Sequence, residues 1–454
     1  MFFYEYIYIL QSMLEEEQEE KKVQKKTACP RVLAYYFPQY HSIPENNCVF
    51  GKGFCDWDLF RLKTDINHLN SCKFPLPPPH GLGYYDPTLK EIRQTQSNLA
   101  SRYGVDGFIF YHYWLENHLV MGNVVDQLML DGEPNIPFCF CFANESWKHC
   151  YGITTTDKKY NSFHSDGSTY RQLYENPQEH AKYLQRIFKH ENYIKIDNKP
   201  IMFLYQSNKQ VYSYLKRVIQ ELKMFDIDDI YIIANTSGHC FSKYNKQDVL
   251  ERKPDAYSPF VAHENHVPIP GSWAKLPCVV GGYVGWNSRP RHPSSQRIND
   301  YKPDILTRNI CRDLLNSHYD IKSINMYALF AWNEWAEGAT LEPNTIYGER
   351  LGKAVKTAKD IVNTLLTDDK FVRMKIEYGN NDIFIDVTKV VFTHCIRYIY
   401  DKWCLYIPNG DFSRADIFED PLFGVVKVIR ITRENKVVMY DNTIFYMEPI
   451  LENT

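Results

Sequence analysis

Several devices by which proteins handle nucleotides, thiols and membranes are missing from this 454-residue chain. It has no G-x-G-x-x-G turn and no Walker-type loop, which disfavours nucleotide binding through those cradles. It has no G-x-S-x-G elbow, so the usual α/β serine hydrolase is not indicated. Its 12 cysteines never form a C-x-x-C pair, which argues against a zinc ribbon or thioredoxin-like site and fits reduced thiols. No basic run stands out, the formal charge is -3 and the pI is about 6.6, so no nucleic-acid partner is expected. No stretch reaches the ~20 apolar residues of a membrane span. The opening MFFYEYIYIL carries Glu5, lacks a basic start and runs into EEEQEEKK, which does not read as a secretion signal. The chain is therefore expected to be cytoplasmic with no integral membrane segment, residues 1–30 forming a tail.

What the chain does have is aromatic residues, 15% of the total with 34 tyrosines, many beside polar residues at the ends of apolar runs. An aromatic face covers the apolar face of a pyranose while its edge stays wet, which fits a sugar cleft; a compositional bias explains the count equally well. Eight short β-prone runs follow the tail: Val32–Tyr36, Gly107–Tyr111, Pro137–Phe142, Ile201–Tyr205, Ile230–Ala234, Ala256–Ser258, Val279–Tyr283 and Ile324–Phe330. Between them lie candidate helices such as Leu89–Tyr103, with apolar positions at Leu89, Ile92, Leu99 and Tyr103, and Glu179–His190. This alternation predicts a parallel α/β architecture, and eight strands close a (β/α)8 TIM-type barrel, placed at residues 31–368. Residues 45–88 read as a long loop insertion. From 369 to 454, the segments Val372–Glu377, Asp382–Phe392, Lys402–Ile407, Val425–Ile431 and Lys436–Met447 predict a small C-terminal antiparallel β module. That module is either an accessory that docks a glycan or a protein partner, or a structural cap.

Polar and aromatic residues fall just past the strand ends, where barrel enzymes gather their sites. Tyr36 and PQYH, with Gln39 and His41, end the first strand; the insertion adds Trp57 of GKGFCDW, Tyr85 and Asp86. HYWLENH after the second strand gives His112, Tyr113 and Trp114, and ANESW after the third gives Asn144, Glu145 and Trp147. Tyr205 ends the fourth, NTSGH follows the fifth, Glu264 lies in HENH after the sixth, and Trp286 with Asn287 follows the seventh. All the numbered residues are candidate substrate-binding groups. His112, Glu116 and His118 lack the spacing of a helix-borne metal site, and Tyr113 and Trp114 between them suit a sugar better, so no metal or other cofactor is expected. Asn144-Glu145 holds sugar hydroxyls on one reading and caps a helix N-terminus on the other.

The densest stretch is AWNEWAEGATLEP, Ala331 to Pro343, behind the eighth strand. Glu334 and Glu337 are three apart, so a helical turn would set them on one face with β-carbons about 5–6 Å apart. That is near the ~5–5.5 Å carboxyl separation of a retaining glycosidic site. One acid would keep its proton while the other acts as base or nucleophile, and Trp332 and Trp335 would raise one pKa by desolvation. Asn333 and Trp335 complete the candidate binding set. The competing reading has core tryptophans and solvated glutamates.

AYYFPQYHSIPEN, GKGFCDW, YGVDGFIFYHYW, PFCFCFANESW, KPIMFLY and AWNEWAEGATLEP stand in this order over about residues 31–345. Together they resemble the WbsX glycosyltransferase-like family, related to glycoside hydrolase family 99, the endo-α-mannosidases. The resemblance implies a (β/α) barrel acting on polysaccharide without a metal, with Glu334 as the base that activates the sugar's 2-hydroxyl as an internal nucleophile and Glu337 as acid/base at the glycosidic oxygen. Two positions depart from it: Cys55-Asp56 replaces the usual Thr-Glu, leaving a carboxylate able to hold a hydroxyl, and Asn287 replaces a common Asp, removing a charge. The expected function is glycosyl transfer or glycosidic cleavage on an oligo- or polysaccharide through Glu334 and Glu337. The alternative is a non-catalytic glycan-binding or structural protein on the same barrel.

Overall fold

Eight strands follow one another around a closed parallel sheet in the computed structural model, which describes residues 29–62, 74–148, 164–236, 254–258, 276–291, 298–434 and 436–451. They are β1 (Arg31–Tyr36), β2 (Gly107–Leu115), β3 (Phe138–Phe142), β4 (Lys199–Leu204), β5 (Tyr231–Asn235), β6 (Ala256–Ser258), β7 (Cys278–Tyr283) and β8 (Ser323–Phe330). Successive strands from β1 to β7 pair in parallel, β8 neighbours β7, and β8 pairs in parallel with β1 to close the barrel. Strands covered on both faces read as continuous apolar runs; β3, FCFCF, is buried at all five positions. Gly107 is required where β1, β2 and β3 converge, because a Cβ there would lie 2.5 Å from the Pro137 carbonyl and 2.9 Å from Leu33.

The predicted strands lie within a few residues of those observed, with one consequential difference: β2 runs on to Leu115, so HYWL is strand rather than loop. Period-two alternation then sends Tyr111 and Tyr113 to one face and His112 and Trp114 to the other. Helices α1 (Pro44–Phe50), α2 (Lys90–Arg102), α3 (Asn123–Asp131), α4 (Pro177–Phe188) and α5 (Lys209–Leu222) lie between strands, so part of the insertion expected as loop is helical. Helix α5 buries Val211, Leu215, Val218 and Leu222 at helical spacing and is capped by Asn208, which accepts from the Val211 N–H. Helix α2 buries the expected face only in part: Tyr103 is buried, and Ile92 and Leu99 are half-buried. Leu89 is exposed, while Arg93, Gln96, Ser97 and Ala100 are buried, because Arg93 satisfies the Pro87, Thr88 and Glu133 carbonyls and pairs with Asp131.

By compactness the chain divides into two units, one of Arg31–Pro303 with Met326–Lys353 and a second that includes Asp304–Asn325 and Ala354–Thr454. Within the second, helix α6 (Pro303–Tyr319) meets helix α7 (Arg350–Thr367), where Thr307 bonds the Ala354 carbonyl. Its strands are β9 (Met374–Asn380), β10 (Ile383–Asp386), β11 (Ile396–Ile399), β12 (Lys402–Ile407), β13 (Val428–Arg433), β14 (Lys436–Tyr440) and β15 (Tyr446–Leu451). They form two antiparallel sheets, β10-β9-β13-β14 and β11-β12-β15. Helices α8 (Thr388–His394) and α9 (Asp411–Phe418) interrupt them, so the end of the expected strand Asp382–Phe392 is helical. No helix among the described residues is long and apolar enough to cross a membrane.

Candidate active site

The site begins where β8 ends. Asn333–Glu334 pairs antiparallel with Ala339–Thr340, and the residues between form a 3-10 turn, Trp335–Glu337. Gly338 closes this turn at φ +62°, and a Cβ there would lie 2.9 Å from Asn287 Cβ and backbone nitrogen. Both the left-handed backbone and the close approach therefore demand glycine. Beneath the turn, Asn333 ties the hairpin to the loop after β1: its Oδ1 accepts from the Phe37 N–H at 2.7 Å, and its Nδ2 donates to the Phe37 carbonyl at 3.0 Å.

The two glutamates meet at Arg291. Its Nη2 donates to Glu334 Oε1 at 2.6 Å and lies 3.2 Å from Asp56 Oδ2, while its Nε lies 3.3 Å from Glu337 Oε1. Arg291, Asp56 and Glu334 are almost wholly buried, whereas the Glu337 side chain keeps 22% exposure. One cation thus faces three carboxylates, two of them almost wholly out of water. Burial raises the Glu334 carboxyl well above its usual range; Arg291 opposes the rise, and Glu337 and Asp56 add to it. Burial likewise lifts Glu337 to about 7, again opposed by Arg291 and reinforced by Asp56 and Glu145. Glu334 makes the shorter contact with the guanidinium, 2.6 Å against 3.3 Å for Glu337, and Glu337 is the more exposed of the two.

Above them opens a cavity of about 610 Å³, within the size range of small-molecule sites. Phe37, Phe50, Tyr111, Tyr113, Trp147, Tyr174 and Tyr205 share its wall with Gln39, Asn46, Asn144, Gln172, Gln206, Asn208 and Gln210. Glu334, Glu337 and Arg291 belong to the same lining. The cleft is therefore rich in stacking faces and neutral donor–acceptor groups, the equipment for holding sugar rings and hydroxyls.

Of the candidates named from sequence, Gln39, Tyr113, Asn144, Glu145, Trp147, Tyr205, Glu334 and Glu337 converge on this cavity. Asn144 spends its amide on the wall: it donates to the Gln206 carbonyl and Tyr174, and accepts from the Gln206 N–H at 2.8 Å. Glu145 accepts from Gln206 Nε2 at 3.0 Å. The other candidates have partners elsewhere. His112 and Trp114 lie on the opposite face of β2, where His112 Nε2 sits 2.8 Å from His180 Nε2 and Trp114 stacks on His180. Burial drops the His112 pKa to about 3 and that of His180 well below its usual value, which favours neutral rings, and His180 Nδ1 meets the Tyr214 hydroxyl at 2.9 Å. Tyr36 donates to Gln96, His41 meets the Pro38 carbonyl, Trp57 donates to the Tyr85 carbonyl, and Asp86 accepts from Thr88. Tyr85 and Trp335 both donate to Glu342 at 2.8 Å. Trp286 lies against Phe330, and Asn287 is buried under Gly338. Glu264 lies outside the described residues.

The tryptophans of the motif are core: Trp332 packs on Phe108, and Trp335 faces Glu342. The glutamate they crowd is thus Glu342, wholly buried, raised by burial to about 7 against the donors Gln96, Tyr85, Trp335 and Trp332. Asp56, read from sequence as able to hold a hydroxyl, lies 3.2 Å from Arg291. Arg291 and Tyr111 were missed from the sequence. The sequence offered one signal for the arginine, the Pro-flanked SRPR directly after GWN at the seventh strand end.

The sequence matches the family described as Glycosyltransferase WbsX over residues 32–276 and 269–355. Two curated relatives from Xanthomonas campestris pv. campestris, both described as "Uncharacterized protein WxcX", are each 24% identical. The strain B100 relative aligns over 398 residues, 78% of this chain and 54% of its own; the strain ATCC 33913 relative aligns over 386, 76% and 52%. The chain thus spans about half the length of the curated relatives it matches. Among solved structures, the glycoside hydrolase family 99 endo-alpha-mannosidase from Bacteroides thetaiotaomicron is similar at 15% identity and TM-score 0.45, over 72% of this chain and 95% of that one. A protein described as glycoside hydrolase-like gives 13% identity and TM-score 0.43, over 73% and 94%.

Proposed function

The chain belongs to the glycosyltransferase WbsX family, and from that premise we propose that it is a glycan-active enzyme that makes or breaks glycosidic bonds at the floor of the barrel cavity. Glu337 gives its proton to the departing glycosidic oxygen and takes one back from the incoming acceptor. Glu334 acts as the base, on the sugar's own 2-hydroxyl. The observation that carries this reading is the Arg291 cluster: one guanidinium among Asp56, Glu334 and Glu337. With all four groups ionised the cluster would hold two uncompensated negative charges in a buried site, so a proton is retained. Glu337 faces the cavity with its pKa lifted to about 7, which suits an acid that must also return as a base near neutral pH. Transfer and hydrolysis use the same two carboxyls and differ in whether a sugar hydroxyl or water meets the anomeric carbon.

The test is a screen of defined oligosaccharides and activated aryl glycosides, with product anomers determined, on wild type and Glu337→Gln. The expected result is a loss of roughly 10²–10⁴-fold on natural linkages, with much of the rate retained on glycosides whose leaving group needs no proton. Unchanged turnover in the variant overturns the proposal. Saccharide binding without turnover in either form replaces it with a non-catalytic glycan-binding barrel.

A further inference from the structure

Glu334 has an unusual seat. Its backbone lies at φ -82°, ψ 68°, the conformation of an inverse γ-turn, in which the N–H of the following residue bonds the carbonyl of the preceding one. Here a phenol stands between those groups. Tyr40 Oη donates to the Asn333 carbonyl at 2.6 Å and accepts from the Trp335 N–H at 3.0 Å. The two peptide groups that bracket Glu334 are therefore held by one side chain almost 300 positions away in sequence. That side chain is itself fixed: it is 1% exposed, and its ring lies 4.1 Å from Trp57 and 5.6 Å from Tyr85.

We infer that Tyr40 is a positioning residue for Glu334: its hydroxyl splices into the turn and sets the direction in which the carboxylate leaves the backbone, toward Arg291 and the cavity. A hydroxyl fits because it both donates and accepts. Burial, with Glu334 and Asp56 adding, raises the Tyr40 pKa well above the usual value, so the proton needed for donation is kept. Without the phenol, the Trp335 N–H and Asn333 carbonyl lose the group held between them, and closing on each other to recover a hydrogen bond rotates Glu334. A displacement of about 1 Å in a catalytic group costs on the order of 10²-fold in rate.

The inference rests on the proposed role of Glu334, and its experiment is matched by a control elsewhere in the barrel. Tyr193 also both accepts and donates with its buried hydroxyl, accepting from the Phe140 N–H of β3 at 3.1 Å and donating to the Ile201 carbonyl of β4 at 2.8 Å, with no hydrogen bond to Glu334 or Glu337. Tyr40→Phe and Tyr193→Phe are compared for melting midpoint, kcat, KM and the pH dependence of kcat. Similar melting midpoints are expected, while Tyr40→Phe alone loses roughly 10–100-fold in kcat, keeps its KM within about threefold and shifts the pH profile. Equal kcat and pH profiles in the two variants overturn the inference. If Tyr40→Phe does not fold, 3-fluorotyrosine at position 40 keeps the bridge with a more acidic hydroxyl; an unchanged pH profile then overturns it. A crystal structure of Tyr40→Phe, or of the fluorinated protein beside wild type, is independent of activity. A Glu334 carboxylate unmoved in the Phe variant sinks the positioning role, whereas a protein with no glycosidic turnover at all sinks the functional reading instead.

Discussion

Two buried cations, Arg291 in the barrel unit and Lys427 in the C-terminal unit, are surrounded by carboxylates in opposite ways. Lys427 Nζ lies 3.0 Å from Asp411 and 2.8 Å from Asp420, and also donates to the Leu422 and Val425 carbonyls. Both of its acids reach water at a quarter or more exposure. Lys427 lowers the Asp420 pKa by hydrogen bonding; at Asp411 the effect of burial is outweighed by bonds from Tyr378 and Lys427, and the pKa again falls. Around Arg291 the acids outnumber the cation three to one and are desolvated, so their pKa values rise instead. The first arrangement fastens a loop; the second, on the proposed function, keeps a proton at the cavity for chemistry. A raised carboxyl alone does not mark chemistry, since Glu342 is also lifted to about 7 yet is wholly buried and ringed by donors. What separates Glu337 is access.

The contrast breaks most sharply by charge removal at the site. Glu334→Gln should cost at least roughly 10³-fold in turnover on glycosides of every leaving group, since no leaving-group chemistry replaces a base; a loss confined to poor leaving groups would exchange the roles of the two glutamates. Next is the pair Arg291→Met and Lys427→Met. Arg291→Met strands buried carboxylates and should lower stability by about 3–5 kcal/mol near pH 8, with turnover lost. Lys427→Met leaves acids that water still solvates, so a smaller loss of stability with unchanged turnover is expected. Chemical denaturation and rate assays read both, and equal losses would mean that the two clusters do the same structural job.

The third way to sharpen the comparison is pH. Glu337 has a folded pKa above the unfolded value of 4.5, so the folded chain binds the extra proton, and this group's contribution to stability falls as pH rises from about 4.5 to about 7. Asp411 and Asp420 have lowered values, so their contribution is present above their unfolded pKa of 3.8 and is lost as pH falls through the folded values. Glu337→Gln should therefore match wild type near pH 4 and exceed it by on the order of 3 kcal/mol at pH 8. A pH-independent difference between the two proteins would refute the raised pKa. Smallest of all is Asp420→Asn, expected to leave turnover unchanged and to move the melting midpoint by less than Lys427→Met does. A larger shift would make this partly exposed pair more than a surface clasp.

The eight strands and the glutamate pair were legible because they rest on local rules. A buried strand such as FCFCF announces itself by continuous apolar residues, and a strand followed by a helix-length segment fixes a parallel neighbour. The order of strands around the closed sheet follows from that alternation, and so does the delivery of Glu334 and Glu337 past the end of β8. Side-chain direction was less legible. His112 and Tyr113 are adjacent in a run of aromatic and polar residues, and only the continuation of β2 to Leu115 decides that one meets His180 and the other the cavity. The Leu89–Tyr103 pattern caught the buried Tyr103 but not the centre of the buried side of α2, because that side carries Arg93 and Gln96 into a polar network, a use that apolar periodicity cannot express.

By itself, then, the amino-acid order determined the number of strands, their parallel sense and which two acids stand at the mouth of the last one, since hydrophobic period and residue spacing act over a few neighbours. Tertiary structure alone decided that Arg291 would sit among them, that Asp56 would pair with the arginine, and that Tyr40 would hold the backbone of Glu334. Those contacts join residues 43 to 293 positions apart. They exist only once the barrel has closed and taken the groups out of water, where charge and hydrogen bonding count for more than they do along the open chain.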